Sequence, residues 1–309
     1  ERRLLVRECD CFCFGTAMGC GRVADVVIRP MTADDVPAAD AAAWAAIRHQ
    51  IPPDFEIEPE QRTARGRFRV AHLQRTDPRG AWVAEVDDEV VGCALALVRE
   101  DVWGLSLFGI HPDHQSRGIG RNLLDAALGY AEGRRGAIIL STTDPRAMRR
   151  YALAGFELRP CVAFAGIVDR GAIPSGLCSR PGDVDADRDL CDAISRHVRG
   201  AAHGPDLKAL EAVGCTLLVH DDGGWAAVRD GAPALLAATD EAIATDLLWS
   251  ALATAGPGAT VHIDFLTAGQ DWAVQACLAA RLVLSPDGPL FVRGDVGPFR
   301  PYLPSGAYL

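Results

Sequence analysis

Residues 102–156 constrain the chain more than any other stretch, because apolar runs, a glycine turn and amphipathic helices alternate there in fixed order. Val102 to Ile110 is apolar and bounded by Asp101 and His111, as a buried strand is. The chain then turns through His111-Pro112-Asp113-His114 into Gln115-Ser116-Arg117-Gly118-Ile119-Gly120. Leu123, Leu124, Ala127, Leu128 and Ala131 follow at helical spacing and make one apolar face that suits a sheet. A second strand and a second helix, ending at Gly155-Phe156, complete the block. Strand alternating with helix predicts an α/β architecture.

A helix that opens on glycines leaves its first backbone N–H groups unpaired at the positive end of the helix dipole, which suits a phosphate or pyrophosphate. Gly118 and Gly120 let oxygens approach the backbone, and Arg117 adds charge. The turn is not the dinucleotide fingerprint, since its third glycine would fall on Leu123, and it is not a P-loop, since no Gly-Lys-Ser/Thr follows.

Gln115, Gly118 and Gly120 resemble the acyl-CoA pyrophosphate loop of the GCN5-related N-acetyltransferase (GNAT) superfamily, Gln/Arg-x-x-Gly-x-Gly/Ala. Downstream, Asp144-Pro145-Arg146-Ala147, Tyr151 and Gly155-Phe156 are similar to that family's Asn-x-x-Ala…Tyr…Gly-Phe helix, with Asp144 where Asn is more usual. Ile28-Arg29-Pro30-Met31-Thr32 resembles a frequent opening of the family. The resemblance implies acetyl-CoA as co-substrate. Gln115, Ser116, Arg117, Gly118, Ile119 and Gly120 would hold it, with Asp144 and Arg146 as further contacts and the backbone of Phe108 and Ile110 on a splayed strand. It further implies an N-acetyltransferase that passes the acetyl group to a primary amine in a ternary complex, with Tyr151 as general acid. A phenol with an ordinary pKa of about 10 is protonated at neutral pH and can serve. An ordinary packing role for Tyr151 stands beside this, as does a non-catalytic acyl-CoA-binding sensor for the whole chain. The general base is not identifiable: Glu85, Glu100, Asp101 and His111 are candidates, each more readily read as a solvated charge at a strand end, and a water relay is an alternative.

By that resemblance the fold class is α/β, of mixed α+β type: two tandem GNAT-like domains, each a central, mostly antiparallel sheet with a splayed strand pair flanked by helices. Residues 1–21 are expected to be a flexible Cys-rich extension, 22–172 the catalytic domain, and 173–309 a degenerate GNAT-like domain with a Pro/aromatic tail. In the first domain a helix runs from Thr32 to about Gln50. A second, 58–75, shows Arg62, Arg65, Arg67 and Arg69 as a solvated face. Trp44, His49, Phe55 and Phe68 are acceptor-pocket candidates, a hairpin spans 81–98, and Cys161 to Val168 is the closing strand.

Beyond the linker 173–183 the outline repeats: helices 184–199 and 205–213, hairpin 216–229, strand 233–238, helix 240–255, strand 259–265, helix 269–280. Aligning Pro160 with Pro286 pairs Leu158 with Leu284, Phe156 with Leu282 and Ala147 with Ala273. The chemistry does not repeat, for the same shift sets Cys277 opposite Tyr151 and Gln270 opposite Asp144. The turn Ala237-Ala238-Thr239-Asp240 has no glycine and ends in a carboxylate that would repel phosphate. This half is expected to bind no CoA and, by default, to cover one edge of the first sheet. The tail 297–309, with spaced prolines, is expected to run extended and dock in a groove between the domains.

The net charge of −10 lies mostly beyond residue 172 and argues against nucleic acid or an anionic membrane as partner. A small-molecule or peptide amine acceptor is the expected partner, and the oligomeric state is open, a homodimer included. Cys9, Cys11, Cys13 and Cys20 crowd the N-terminus, but C-x-C-x-C lacks the C-x2-C pairs of structural zinc sites, so no metal is expected. Arg7, Glu8 and Asp10 interrupt what would be the apolar run of a signal peptide, and Met18 is an alternative start. The remaining cysteines stand singly, as in reduced cytoplasmic proteins. All but one of the basic residues are Arg, a habit of high-GC bacterial genomes.

Overall fold

The computed structural model describes residues 4–5, 26–48 and 58–309. The expectations for the 1–21 extension, for His49 and for Phe55 fall outside the described residues, apart from the short strand at Leu4–Leu5. The chain forms two compact units, Glu1–Ala96 with Leu107–Glu132, and Leu97–Ser106 with Gly133–Leu309. This division differs from the expected break at 172/173, and the reason is the strand pairing described below.

The first unit holds β1 (Leu4–Leu5), β2 (Val26–Pro30), α1 (Val36–Ile47), α2 (Pro59–Thr76), β3 (Ala81–Val86), most of β4 (Glu89–Arg99), the end of β5 (Val102–Ile110) and α3 (Ile119–Leu128). β2, β3 and β4 form an antiparallel meander in which Val26 pairs with Val86 and Val86 with Glu89. Asp87 and Asp88 turn the hairpin with φ of 50° and 67°, the left-handed pair that a two-residue turn between twisted strands needs. Before α1 the Asp35 carboxylate accepts both the N–H (2.7 Å) and the hydroxyl (2.8 Å) of Thr32. Residues 33–35 are therefore a 3-10 turn, and the α-helix proper starts at Val36. The arginines of α2 are not all a solvated face. Arg62 is mostly buried, pairs with Asp40 of α1 and lies 4.4 Å over the Trp44 ring, because Asp40 is a buried carboxylate that requires a cation.

The second unit begins with the start of β5 and continues through β6 (Gly136–Leu140), α4 (Pro145–Leu153), β7 (Glu157–Ile167), β8 (Arg180–Pro181), α5 (Arg188–Arg199), α6 (Asp206–Ala212), β9 (Thr216–His220), β10 (Gly224–Arg229), β11 (Ala232–Ala238), α7 (Glu241–Ala253), β12 (Thr260–Thr267), α8 (Asp271–Ala279), β13 (Val283–Gly294) and β14 (Tyr302–Leu303). The repeat is exact to the residue in one place: α8 starts and ends 126 positions after α4, and β13 starts 126 after β7. β7 is not a closing strand of one half. β13 lies between β6 and β7, pairing antiparallel with both, and β7 lies between β13 and β12. Cys161 of β7 pairs with Asp287 of β13, its own counterpart 126 residues on, so a local pseudo-twofold relates the two strands. The halves thus share strands at the middle of a sheet instead of one covering the other's edge. Leu290, Phe291 and Val292 are buried there, each worth about 1.5–3 kcal/mol of transfer free energy.

The second sheet of this unit is antiparallel in the order β14-β11-β10-β9-β8. Ala226, Val228 and Leu236 of this sheet pack with Leu247, Leu248 and Leu252 of α7 and with Trp272 of α8 in one core. Arg99, at the end of β4, donates two 2.6 Å bonds to the buried carboxylate of Asp206 in α6. The tail is not the extended run expected: only Tyr302–Leu303 is strand, with Leu303 paired to Leu236 and Tyr302 to Ala237 of β11, while 300–301 and 306–308 are turns and the Leu309 N–H donates back to the Ser305 carbonyl. Further on, Ser106 Oγ donates to the Ala307 carbonyl at 2.5 Å, and Leu309 fills the space above Gly104.

Candidate active site

The expected site residues fall into two groups, one on each unit, and each group has its own local logic. In the first unit, β5 ends at Ile110 and a 3-10 turn, Pro112–His114, leads into the loop. The Gln115 side-chain amide donates to the Ile110 carbonyl at 2.9 Å and ties the loop to the strand end. Ser116 and Gly118 both have positive φ, 63° and 80°, and Gly118 is the residue from which α3 starts. Glycine adopts that conformation without strain, and it lets the following amides turn outward. Gly120 sits over Phe108 and Ile110, where a Cβ would lie 3.5 and 3.7 Å from their side chains.

The consequence is a row of donors. Arg121 and Asn122 already donate to the Gly118 carbonyl, as the first turn of a helix does. Among the described residues no acceptor is recorded for the backbone N–H groups of Ser116, Arg117, Gly118, Ile119 or Gly120. Ser116 and Arg117 are exposed, and Ile119 anchors the turn in the core. Amides at a helix N-terminus add to the positive end of its dipole, so this loop has the geometry to receive an anion. Behind it, α1 packs so closely on β5 that a Cβ at Gly109 would stand 3.1 Å from Ala43 and Ala46.

In the second unit, the parallel β5–β6 ladder runs from Val102–Gly136 to Leu105–Ile139 and stops there. Asp144 caps α4 by accepting the Arg146 N–H at 2.8 Å, and its carboxylate pairs with the Arg146 guanidinium at 2.7 Å. That pairing holds the Asp144 carboxyl below the usual range. Asp144 and Arg146 thus bind each other. Tyr151 is buried on the inner face of α4, its ring edge-on to Phe291 at 5.4 Å. Burial, with the Asp144 charge second, pushes its phenol well above 10, so it stays a proton donor.

Phe291 was not legible as a site residue. It comes from β13, 140 residues after Tyr151, and only the strand exchange brings it there. Arg293 of the same strand lies 4.7 Å over Phe156 and donates to the Ala154 carbonyl at 3.1 Å, which fixes the turn after α4. The candidate bases are less suggestive. Glu85 pairs with Arg29, Glu100 accepts from Arg196 and from Ala202 N–H, and Asp101 lies 3.7 Å from Arg134. His111 Nδ1 accepts from the Asp113 N–H at 3.4 Å. Of the acceptor-pocket candidates, Trp44 is covered by Arg62 and Phe68 stacks on His72.

In the repeat, the corresponding strand-to-helix turn has its leading amides taken up. Asp240, at the position before α7, accepts the Ala242 and Ile243 N–H groups at 2.8 and 3.0 Å, so those amides are already satisfied. Gln270, the counterpart of Asp144, holds the tail through the Phe299 carbonyl and accepts from Trp272 Nε1 at 2.7 Å. Cys277, opposite Tyr151 in the repeat, is buried and its thiol is pushed up to about 12.

Residues 44–156 match the model of the acetyltransferase (GNAT) family. A mycothiol acetyltransferase of Kineococcus radiotolerans is 30% identical over 142 residues, which is 43% of this chain and 43% of that protein, so the match spans less than half of the curated relative. Among solved structures, a Pyrococcus horikoshii protein provisionally named an acetyltransferase superposes with a TM-score of 0.74 at 17% identity, over 92% of this chain and 96% of that one. A tandem GNAT protein of the clavulanic acid biosynthesis pathway superposes with a TM-score of 0.53 at 13% identity, over 87% and 98%. No described helix is long and apolar enough to cross a membrane. Residues 44–156 thus match the acetyltransferase (GNAT) family model, within a fold like that of a tandem GNAT protein.

Proposed function

We propose that the protein is an N-acetyltransferase that takes acetyl-CoA as co-substrate and a small-molecule or peptide amine as acceptor. The observation that carries this reading is the row of amides from Ser116 to Gly120, without recorded acceptors, at a helix N-terminus opened by the left-handed Gly118. A diphosphate is the ligand such a row fits best. The family match over residues 44–156 and the partial likeness to a mycothiol acetyltransferase support acetyl transfer as the chemistry.

In the proposed reaction the amine nitrogen attacks the thioester carbonyl and a tetrahedral oxyanion forms. Backbone N–H groups at the end of β5, at Phe108 and Ile110 by the family resemblance, stabilise that oxygen. The C–S bond then breaks, the electron pair leaves on sulfur, and the Tyr151 hydroxyl gives its proton to the thiolate. The surplus proton on the amine passes to water, and the Tyr151 phenolate takes a proton back from water to close the cycle. Burial keeps the Tyr151 phenol protonated whenever the amine is free to attack, and because it also weakens the acid, the transfer goes together with C–S cleavage and not before it.

The test separates binding from turnover. Gly118→Val forces a branched side chain into a left-handed position at the loop, and is expected to weaken acetyl-CoA binding at least about tenfold, with overall fold intact by circular dichroism. Undiminished affinity in that variant would remove the loop from the site. Thiol release from acetyl-CoA, measured against a panel of amines, is expected to exceed the amine-free rate. Tight binding with no turnover on any amine would favour the acyl-CoA sensor instead.

A further inference from the structure

Three side chains that the proposed reaction does not use come together in the second unit. Cys178 lies in the segment before β8, His220 ends β9 and Asp246 stands in the middle of α7. A thiol sulfur, a ring nitrogen and a carboxylate oxygen from these three lie within 4.8 Å of one another. Asp246 is held in place: its Oδ2 accepts the Cys178 N–H at 2.8 Å, and its Oδ1 accepts the Ser179 N–H at 3.2 Å and the Ser250 hydroxyl at 3.5 Å. A carboxylate has about four acceptor positions, so these bonds leave it capacity for a further partner.

The His220 ring is mostly buried, with Nδ1 3.3 Å from the Asp222 N–H and 3.9 Å from the Asp222 carboxylate. As it stands Nδ1 accepts the Asp222 N–H, and ligation through Nε2 would use the other tautomer, with Nδ1–H turned to the Asp222 carboxylate, the arrangement that commonly orients a ligating histidine. The Cys178 sulfur is exposed, and its hydrogen points to the Gly176 carbonyl at 3.5 Å. The segment is already pinned to α7 through Asp246, so neither the thiol nor the imidazole is needed to hold it.

We propose that Cys178, His220 and Asp246 form a binding site for a borderline-soft divalent cation of the zinc type, with water as fourth ligand. One sulfur, one nitrogen and one oxygen donor suit zinc and exclude magnesium and calcium, which take oxygen alone. Tetrahedral bonds of about 2.0–2.3 Å set donors roughly 3.3–3.8 Å apart, so the three close on a metal by shifts of about 1 Å. On binding, the Cys178 S–H bond breaks, the thiolate pair becomes the metal–sulfur bond, and one proton goes to solvent. The cation would tie the segment before β8 to β9 and α7, independently of the acyl-CoA loop.

The probe is Co2+, titrated into the full chain with Cys9, Cys11, Cys13 and Cys20 replaced by Ser, so that only thiols of the described residues remain. One equivalent is expected to bind with a near-ultraviolet thiolate-to-cobalt charge-transfer band, to release one proton and to be displaced by Zn2+. Cys178→Ser should abolish the band, and His220→Ala and Asp246→Asn should each weaken binding at least about tenfold. Gly118→Val should leave it unchanged, which separates this site from the proposed reaction. Zn2+ should also raise Tm in the parent and not in the exposed, fold-neutral Cys178→Ser. A missing band, a band that survives Cys178→Ser, or an affinity indifferent to both other substitutions would overturn the proposal.

Discussion

Tyr151 and Cys277 occupy the same position in the two halves of a repeat, and burial holds both the phenol and the thiol protonated. The phenol is thus available at any physiological pH for the proposed transfer to the thiolate as the C–S bond breaks, although its raised pKa makes it a weak acid. A Tyr151→Phe protein keeps the ring against Phe291 and loses only the hydroxyl. Its kcat is expected to fall by about 10²-fold or more with KM for acetyl-CoA nearly unchanged. Since the phenol titrates above 10, any alkaline fall of kcat below pH 10 in the parent should persist in the residual activity of the variant. An unchanged kcat would return Tyr151 to a packing role. Asp35 gives a stability prediction with a definite sign. The Arg29 guanidinium, and next the Thr32 groups, hold its carboxyl down at about 2 against 3.8 in an unfolded chain. Its contribution is complete above pH 3.8 and disappears as pH falls through 2. Chemical denaturation at pH 7 and pH 2 should show the parent losing about 2 kcal/mol more than Asp35→Asn. The motif residues were legible because glycine and tyrosine at fixed spacing carry local chemistry. Phe291 was not, because nothing near position 291 says which strand lies beside it.

The difference between the two halves is sharpest where a strand gives way to a helix. α3 begins on a left-handed glycine and leaves its leading amides open, whereas α7 begins on Asp240, whose carboxylate takes the amides that an anion would have used. That contrast could be read in the sequence, since a glycine and an aspartate before a helix have opposite meanings for a phosphate. The tail was legible only in part. Its prolines implied an extended run, but that it pairs with β11 depends on an open edge created by the rest of the sheet. Phe299, Tyr302, Leu303, Tyr308 and Leu309 are all buried, and Tyr302 donates to the Leu309 carbonyl at 2.8 Å. Deleting 298–309 removes these side chains and uncovers β11. Tm is expected to fall by on the order of 5 °C or more, as scanning calorimetry would read it. An unaltered transition would mean that the tail adds nothing to the unit it pairs with.

At the scale of the whole molecule the repeat and the compact units do not coincide. Helix periodicity and turn chemistry marked the elements closely, and the 126-residue shift was visible in the apolar positions. Strand order was invisible, because β7 and β13 carry similar patterns and either could pair with β6. Residues 22–172 contain all of the family match, and a sequence-based division would take them to be self-sufficient. The pairing argues otherwise. Without residues 173–309, β6 loses the ladder from Leu290–Leu140 to Gly294–Gly136, and β7 loses both of its neighbours, β13 and β12. Leu290, Phe291 and Val292 would leave a gap in the sheet, with unpaired N–H and C=O groups along two apolar strands, a template for association with other chains. The 22–172 fragment made alone is therefore expected to aggregate or to melt without a cooperative transition. Supplying 173–309 as a separate chain should restore a soluble complex, since the missing strand lies in that piece. Size-exclusion chromatography and thermal melts of the fragment, of the pair and of the intact chain would decide the matter. A fragment that melts cooperatively near the Tm of the intact chain would show that β6 and β7 can close on each other, and that the exchanged strand is dispensable to the fold.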